Sequence, residues 1–224
     1  MSTSLIWIVI IGVMLLSSLV QAKLKSHMEK YKEIPTGLSG AEVAQRMLQA
    51  HGIHDVNIVS IDGNLTDHYN PQTKTVNLSH DIYYGRNVAA AAVAAHECGH
   101  VIQHEVGYGP LRLRTALVPV IKFANSMISW VMLAGLVLYQ AFPSLIWIGI
   151  ALFAMSTVFS LVTLPVEMNA SARAVQWLSS AGIVNMETEP MAQDALKWAG
   201  YTYVIAAVSS LATLFYYISM TRRR

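Results

Sequence analysis

The sequence predicts a mainly α-helical integral membrane protein with about four transmembrane helices and a small α+β domain in the aqueous phase. Of its 224 residues, 54% are hydrophobic and only 12% are charged, far from the average of soluble globular proteins. Four apolar stretches approach or reach the length that crosses a bilayer. Between the first two lies a water-compatible segment of roughly ninety residues, which is enough for one small domain.

The apolar stretches define the membrane part of the chain. They are Leu5–Val20, Leu117–Tyr139, Leu145–Leu164 and Gly200–Met220. No basic residue precedes the first stretch, which favours an uncleaved anchor over a signal peptide cleaved near Ala22. The predicted organisation is an anchor (1–22), a domain (23–116), a transmembrane hairpin (117–164), a helical segment (165–198), and a last transmembrane helix with a basic tail (199–224).

The basic residues of the loops predict the sidedness of the protein. With four spans, the basic residues next to the apolar stretches fall together on one side, namely Lys23, Lys25, Lys30, Lys32, Arg112, Arg114, Arg173 and Lys197. The other side receives the N-terminus, the uncharged Phe142–Pro143 loop and the tail Arg222–Arg224, which runs against the trend. The positive-inside rule therefore predicts a multi-pass cell-membrane protein whose domain is cytoplasmic.

Local patterns predict the elements of this domain. Ser39 and Glu42 form a capping box, which predicts a helix that ends near Gly52. The residues 56–59 alternate in polarity like a strand, and the residues 75–79 do so again. Because Asn70-Pro71-Gln72-Thr73 has turn composition, we expect a β-hairpin just ahead of the next helix.

That next helix carries the most informative motif of the chain, His96-Glu97-Cys98-Gly99-His100. Asn87 is a suitable N-cap, and an alanine-rich apolar run leads into the motif. On a helix, His96 and His100 lie one turn apart on one face, so both imidazoles can reach one metal ion. Glu97 projects about 100° further round, where its carboxylate can deprotonate a metal-bound water. The alternative is a buried helix with two hydrogen-bonded core histidines.

A catalytic zinc site needs a third protein ligand, and the sequence offers two candidates. His104 continues the face of the two motif histidines, but three ligands in one straight row cannot surround a tetrahedral ion. Glu167 is the first acid after a long apolar region and opens a second helical segment behind Pro165. We therefore favour Glu167, the alternative being a glutamate that only stabilises a helix N-terminus. Gln103 and Val106 occupy the positions that a metzincin reserves for glycine and histidine, which excludes that class.

Several nearby residues have weaker signals. His68 and Tyr69 lie on the predicted hairpin and could donate to an oxyanion or contact the substrate. The lone Cys98 rules out an internal disulfide and is expected to pack rather than to bind metal. Gly99 costs about 1 kcal/mol inside a helix, so we expect another backbone, such as a bound peptide or a neighbouring strand, to approach closely there.

The motif, together with the segments 65–71 and 165–171, resembles the YugP-like bacterial membrane zinc metallopeptidases. The similarity runs from Leu38 to about Leu178. It implies a zincin-like, gluzincin-type domain in which His96, His100 and Glu167 bind one zinc ion. An aspartate is common in that family where this chain has Asn169. Asn169 is accordingly expected to support a ligand histidine without binding metal itself. His104 is expected to do the same, because its place in the straight row of histidines excludes it as a ligand.

These observations predict a membrane-embedded zinc endopeptidase that cleaves a peptide or membrane-protein substrate. Two alternatives stay open: a catalytically silent membrane scaffold with a structural metal site, and a metal-dependent hydrolase of non-peptide substrates. Glu97 argues against the scaffold, because a structural site needs no acid beside its first ligand. The net charge of +2, without a basic patch, gives no case for nucleic acid as a partner.

Overall fold

The structure, a computed structural model, describes residues 3–221, so the basic tail Arg222–Arg224 lies outside the described residues. The protein is mainly helical, with one small sheet, as predicted. The helices are α1 (Thr3–Lys32), α2 (Gly40–Ala50), α3 (His80–Tyr84), α4 (Val88–Glu105), α5 (Gly109–Val137), α6 (Ser144–Ser180) and α7 (Glu189–Thr221). The strands are β1 (Asn57–Ile61), β2 (His68–Asn70) and β3 (Thr75–Ser79).

Four helices of the described chain are long and apolar enough to cross a membrane, in agreement with the predicted number. They are α1 from Trp7 onward, α5, α6 and α7. Each helix extends beyond its apolar stretch into polar sequence. In α1, for example, no glycine or proline occurs between Gly12 and Pro35, so the helix continues to Lys32 after the apolar residues end.

The chain around Pro165 differs from the prediction. No new helical segment begins there, because α6 runs without a break from Ser144 to Ser180 and includes Pro165. A proline inside a helix removes one backbone hydrogen bond, but in an apolar environment a broken helix would leave several backbone groups without partners. Glu167 therefore lies inside a long helix, which excludes the alternative of a glutamate at a helix N-terminus.

The chain divides into two compact units. The first contains residues before Val20, the segment Arg112–Pro165 and residues from Thr202 onward. Polar pairs join its helices: Ser156 Oγ donates to Asn125 Oδ1 at 2.7 Å, and Ser210 Oγ donates to Thr157 Oγ1 at 2.7 Å. In an apolar surrounding, such side-chain pairs help to hold neighbouring helices together.

The second unit comprises Val20–Leu111 and Val166–Tyr201. Its sheet has the strand order β1-β3-β2, with β1 parallel and β2 antiparallel to β3. The predicted hairpin is confirmed as the β2–β3 pair, in which Tyr69 faces Val76. The first strand begins and ends slightly later than predicted, and the short helix α3 had no signal in the sequence.

Helix α4 forms the centre of the second unit. Its alanines at positions 89–92, 94 and 95 are all fully buried, and α2 packs against the helix through Val43, Ala44 and Met47, which are also fully buried. Alanine has a small side chain and no rotamer entropy to lose, so neighbouring elements can pack closely around such a helix. The motif residues therefore lie on a helix that is tightly packed and enclosed by the other elements of this unit.

Candidate metal centre

The local sequence sets where α4 begins and ends. The Asn87 side chain accepts a hydrogen bond from the backbone N–H of Ala90 at 2.8 Å, which confirms the predicted N-cap. The helix ends at Glu105, and Gly107 follows with a φ of 62°, in the left-handed region that favours glycine. Between these ends, the rings of His96 and His100 lie on one face with their centroids 4.8 Å apart.

Gly99 lets a second helix reach this face. A Cβ atom at Gly99 would lie 2.7 Å from the backbone oxygen of Ala170 and 3.1 Å from its Cα. The close backbone approach expected at Gly99 is thus real, but the neighbour is α6, not a strand or a bound peptide. Because Glu167 is one turn from Ala170, this contact brings its carboxylate to the two histidines.

Three side chains converge at this crossing. Glu167 Oε2 lies 3.2 Å from His96 Nε2 and 3.5 Å from His100 Nε2. One nitrogen or oxygen from each of the three residues lies within 4.8 Å of the others, so all could bind one ion. Two imidazoles and one carboxylate are a donor set that zinc prefers. The residues present therefore fit a zinc ion.

Burial and charge oppose each other at His100. Burial favours the neutral imidazole, but the hydrogen bond with Glu167 and the negative charges of Glu97 and Glu167 outweigh it, so the pKa of His100 is raised. The Glu167 side chain is only 3% exposed and has both histidines as its polar neighbours. A positive charge at this place, whether a proton or a metal ion, is therefore stabilised by the surrounding carboxylates.

Each histidine has a partner on its other ring nitrogen. Ser171 Oγ lies 3.1 Å from His96 Nδ1, and Gln103 Oε1 lies 3.1 Å from His100 Nδ1. The sequence reasoning did not single out Ser171 or Gln103. Their spacing was a usable signal, because residues three or four apart lie on the same face of a helix. Gln103 lies three residues after His100, and Ser171 lies four residues after Glu167. Such contacts fix the ring orientation of metal-binding histidines.

Asn169 does not contact a histidine directly. Its Oδ1 accepts a hydrogen bond from Gln103 Nε2 at 3.0 Å and another from Arg173 Nε at 2.8 Å. The residue at this position therefore reaches His100 through Gln103. An aspartate there could accept the same two hydrogen bonds with its carboxylate.

Glu97 lies beside the ligand group on α4 and is 7% exposed. Within the described part of the chain, its carboxylate takes part in no hydrogen bond or ion pair. Its negative charge nevertheless acts on His100 and contributes to the raised pKa of that histidine.

The remaining candidate residues lie away from the three convergent side chains. His104 is nearly half exposed, with Nδ1 3.9 Å from Glu105 Oε1, and its ring packs against Tyr69 at a centroid distance of 6.1 Å. The Tyr69 hydroxyl is buried without a hydrogen-bond partner among the described residues, and burial raises its pKa. His68 is exposed, with Nδ1 2.7 Å from the backbone oxygen of Thr66.

Cys98 faces the core, not the ligand group. It is fully buried, with Sγ 3.7 Å from the backbone oxygen of Ala44 on α2. Burial raises the pKa of its thiol, which keeps the thiol protonated and poor as a metal ligand. Cys98 is thus a packing residue, as predicted.

The sequence profile of the family described as "Putative neutral zinc metallopeptidase" matches residues 6–222, nearly the whole chain. The chain belongs to this family. It is also 42% identical over 205 residues to the "Putative membrane protease YugP" of Bacillus subtilis (strain 168), covering 91% of this chain and 90% of that protein. No solved structure matches the chain. The resemblance to YugP-like proteins is thereby confirmed, and the convergent side chains of α4 and α6 are the candidate metal centre of this zinc metallopeptidase family member.

Proposed function

We propose that this chain is a multi-pass membrane zinc endopeptidase of the gluzincin type, with one zinc ion held by His96, His100 and Glu167. The observation that carries the proposal is the meeting of these three side chains beside the unengaged carboxylate of Glu97. A structural site would be closed by four protein ligands, whereas three ligands leave one position for a reactant. Family membership and the YugP relative support the peptidase class.

The residues divide the chemistry of peptide hydrolysis between them. When bound, the zinc ion supplies a Lewis acid that polarises a carbonyl and acidifies a water. Two neutral imidazoles and one carboxylate would compensate only one of the two positive charges of that ion, which would preserve its acidity. Glu97 accepts the proton of the attacking water and delivers it to the amine that leaves. His68 and Tyr69 remain candidates for contacts with substrate, and His104 for support of the ligand helix.

The test separates metal binding from proton transfer. Glu97→Gln keeps the size of the side chain but removes the base, so we expect about one zinc per chain and loss of peptide hydrolysis by at least two orders of magnitude. The matched control is Glu105→Gln on the same helix, where the carboxylate is about half exposed. Purified protein in detergent would be assayed with a peptide library and by metal analysis, with and without chelator.

The outcomes distinguish the alternatives. Unchanged hydrolysis in Glu97→Gln would refute the mechanism, and loss of zinc in that variant would make Glu97 a ligand instead. Zinc binding without peptide hydrolysis in the wild type would favour a scaffold or a hydrolase of non-peptide bonds.

We further propose that the second unit faces the cytoplasm, because the basic residues of the loops support this sidedness. The proposed substrate is a peptide or a membrane protein.

A further inference from the structure

Gln103 lies three residues after the motif, yet its side chain makes several contacts at the candidate metal centre. The side chain is fully buried and uses its whole amide group. Its Nε2 donates to the backbone oxygen of Val166 at 2.8 Å and to Asn169 Oδ1 at 3.0 Å, while its Oε1 lies 3.1 Å from His100 Nδ1. One side chain of α4 thus contacts His100 on its own helix and, on α6, the residues one position before and two positions after Glu167.

The direction of this amide is set by its neighbours. A backbone carbonyl can only accept hydrogen bonds, so the nitrogen of Gln103 must face Val166. Asn169 presents an oxygen as well, because the same Oδ1 also accepts from Arg173 Nε, a group that can only donate. Both hydrogens of the Gln103 amide are therefore committed to α6, and its oxygen must face His100.

An oxygen at that position determines which nitrogen of His100 is free. A hydrogen bond to Gln103 Oε1 requires the ring hydrogen to be on Nδ1. In a neutral ring the free lone pair is then on Nε2. Nε2 is the atom that lies 3.5 Å from Glu167 Oε2. The partner of His96 lacks this selectivity, because the hydroxyl of Ser171 can either donate to or accept from Nδ1.

We propose that Gln103 is a positioning residue that holds His100 in the Nδ1–H form, ready to bind zinc through Nε2, and locks α4 to α6 beside Glu167. The inference rests on the proposed zinc site but not on the substrate that is cleaved. The side-chain oxygen of Gln103 acts on His100, whereas the two hydrogens on its nitrogen act on the packing of α4 against α6. These two roles can be separated by substitution.

Two variants make the separation. Gln103→Met keeps the length of the side chain and removes all three hydrogen bonds, so we expect zinc affinity to fall by about 10–100-fold, the usual loss when a ligand histidine loses its orienting partner. Gln103→Glu keeps an acceptor for His100 but sets a carboxylate against the Val166 and Asn169 oxygens. We therefore expect it to regain most of the zinc affinity while melting at a lower temperature than Gln103→Met.

Cys98→Ala is the matched control, since Cys98 is also fully buried on α4 but faces α2. It should lower the melting temperature and leave zinc affinity unchanged. Zinc affinity would be measured by competition with a chromophoric chelator, and the ligand geometry by the visible spectrum of the cobalt-substituted protein in detergent. We expect the cobalt spectrum to change in Gln103→Met and to be unaltered in Cys98→Ala.

Four outcomes of these measurements decide whether Gln103 positions His100. If the wild type binds zinc and Gln103→Met binds it within about threefold as tightly with an unchanged cobalt spectrum, Gln103 is only a packing residue and the inference fails alone. Equal loss of affinity in Gln103→Met and Gln103→Glu would also overturn the positioning role. A wild type that binds no zinc would overturn the proposed function together with this inference. Loss in Gln103→Met with recovery in Gln103→Glu supports it.

Discussion

Replacement of Gly99 by alanine tests whether the approach of α6 to α4 creates the metal centre. Alanine inside a helix is normally better than glycine by about 1 kcal/mol. Here the new Cβ would lie 2.7 Å from the Ala170 oxygen, whereas ordinary contact begins at 3.4 Å, so the backbones must separate by about 0.7 Å. The resulting strain costs about 1–3 kcal/mol, and the net loss of stability is at most about 2 kcal/mol.

The effect on metal binding should exceed the effect on stability. Ligand distances at a zinc site are held to about 0.2 Å, so a displacement several times larger draws Glu167 away from the two histidines. We expect Gly99→Ala to lower zinc affinity by at least about tenfold, measured by chelator competition. Ala170→Gly should not rescue it, because the atoms nearest to the new Cβ belong to the backbone of Ala170.

Gly200→Ala is the matched control for this experiment. Gly200 also lies inside a helix, α7, but a Cβ there would meet nothing within 4 Å. We expect this variant to gain up to about 1 kcal/mol and to bind zinc as tightly as the wild type. If Gly99→Ala behaves like Gly200→Ala in both measurements, α6 does not position Glu167 in the way that the structure implies.

The other predictions concern the third ligand, sidedness and pH. Glu167→Ala should weaken zinc binding by several orders of magnitude in dialysis against graded chelator, and His104→Ala by no more than about 100-fold; the reverse order would refute the two-helix site. A cysteine at Lys30, in a Cys98→Ala background, should resist an impermeant thiol reagent in intact cells and react after permeabilisation; labelling in intact cells would reverse the sidedness. Because the pKa of His100 is raised, protons should begin to compete with zinc at a higher pH than they do at an ordinary histidine. Apparent zinc affinity should therefore fall as the pH falls through the pKa of His100. A zinc affinity that is independent of pH would contradict this. In the metal-free protein the same proton stabilises the fold at low pH, and that contribution is lost as pH rises through the folded-state pKa.

Interactions between residues close in the sequence determined several helix ends, the hairpin and the spacing of the motif histidines. The capping box at Ser39, the N-cap at Asn87 and the turn at 70–73 act on neighbouring residues, so their helices and hairpin could be predicted directly. The helical spacing of His96 and His100 is likewise local. The apolar stretches were sufficient to predict the four helices that are long and apolar enough to cross a membrane, because length and hydropathy can be read along the chain.

Contacts between distant segments were decided only in the tertiary structure. The sequence placed Glu167 at the start of a new helix, whereas packing and the cost of unpaired backbone groups keep α6 continuous through Pro165. Gly99 signalled a close approach, but nothing local named α6 as the neighbour. Gln103 appeared to be an ordinary polar residue until α6 supplied acceptors at Val166 and Asn169. A hydrogen bond across more than sixty residues depends on how two helices cross, and that crossing is set by the packing of the whole unit.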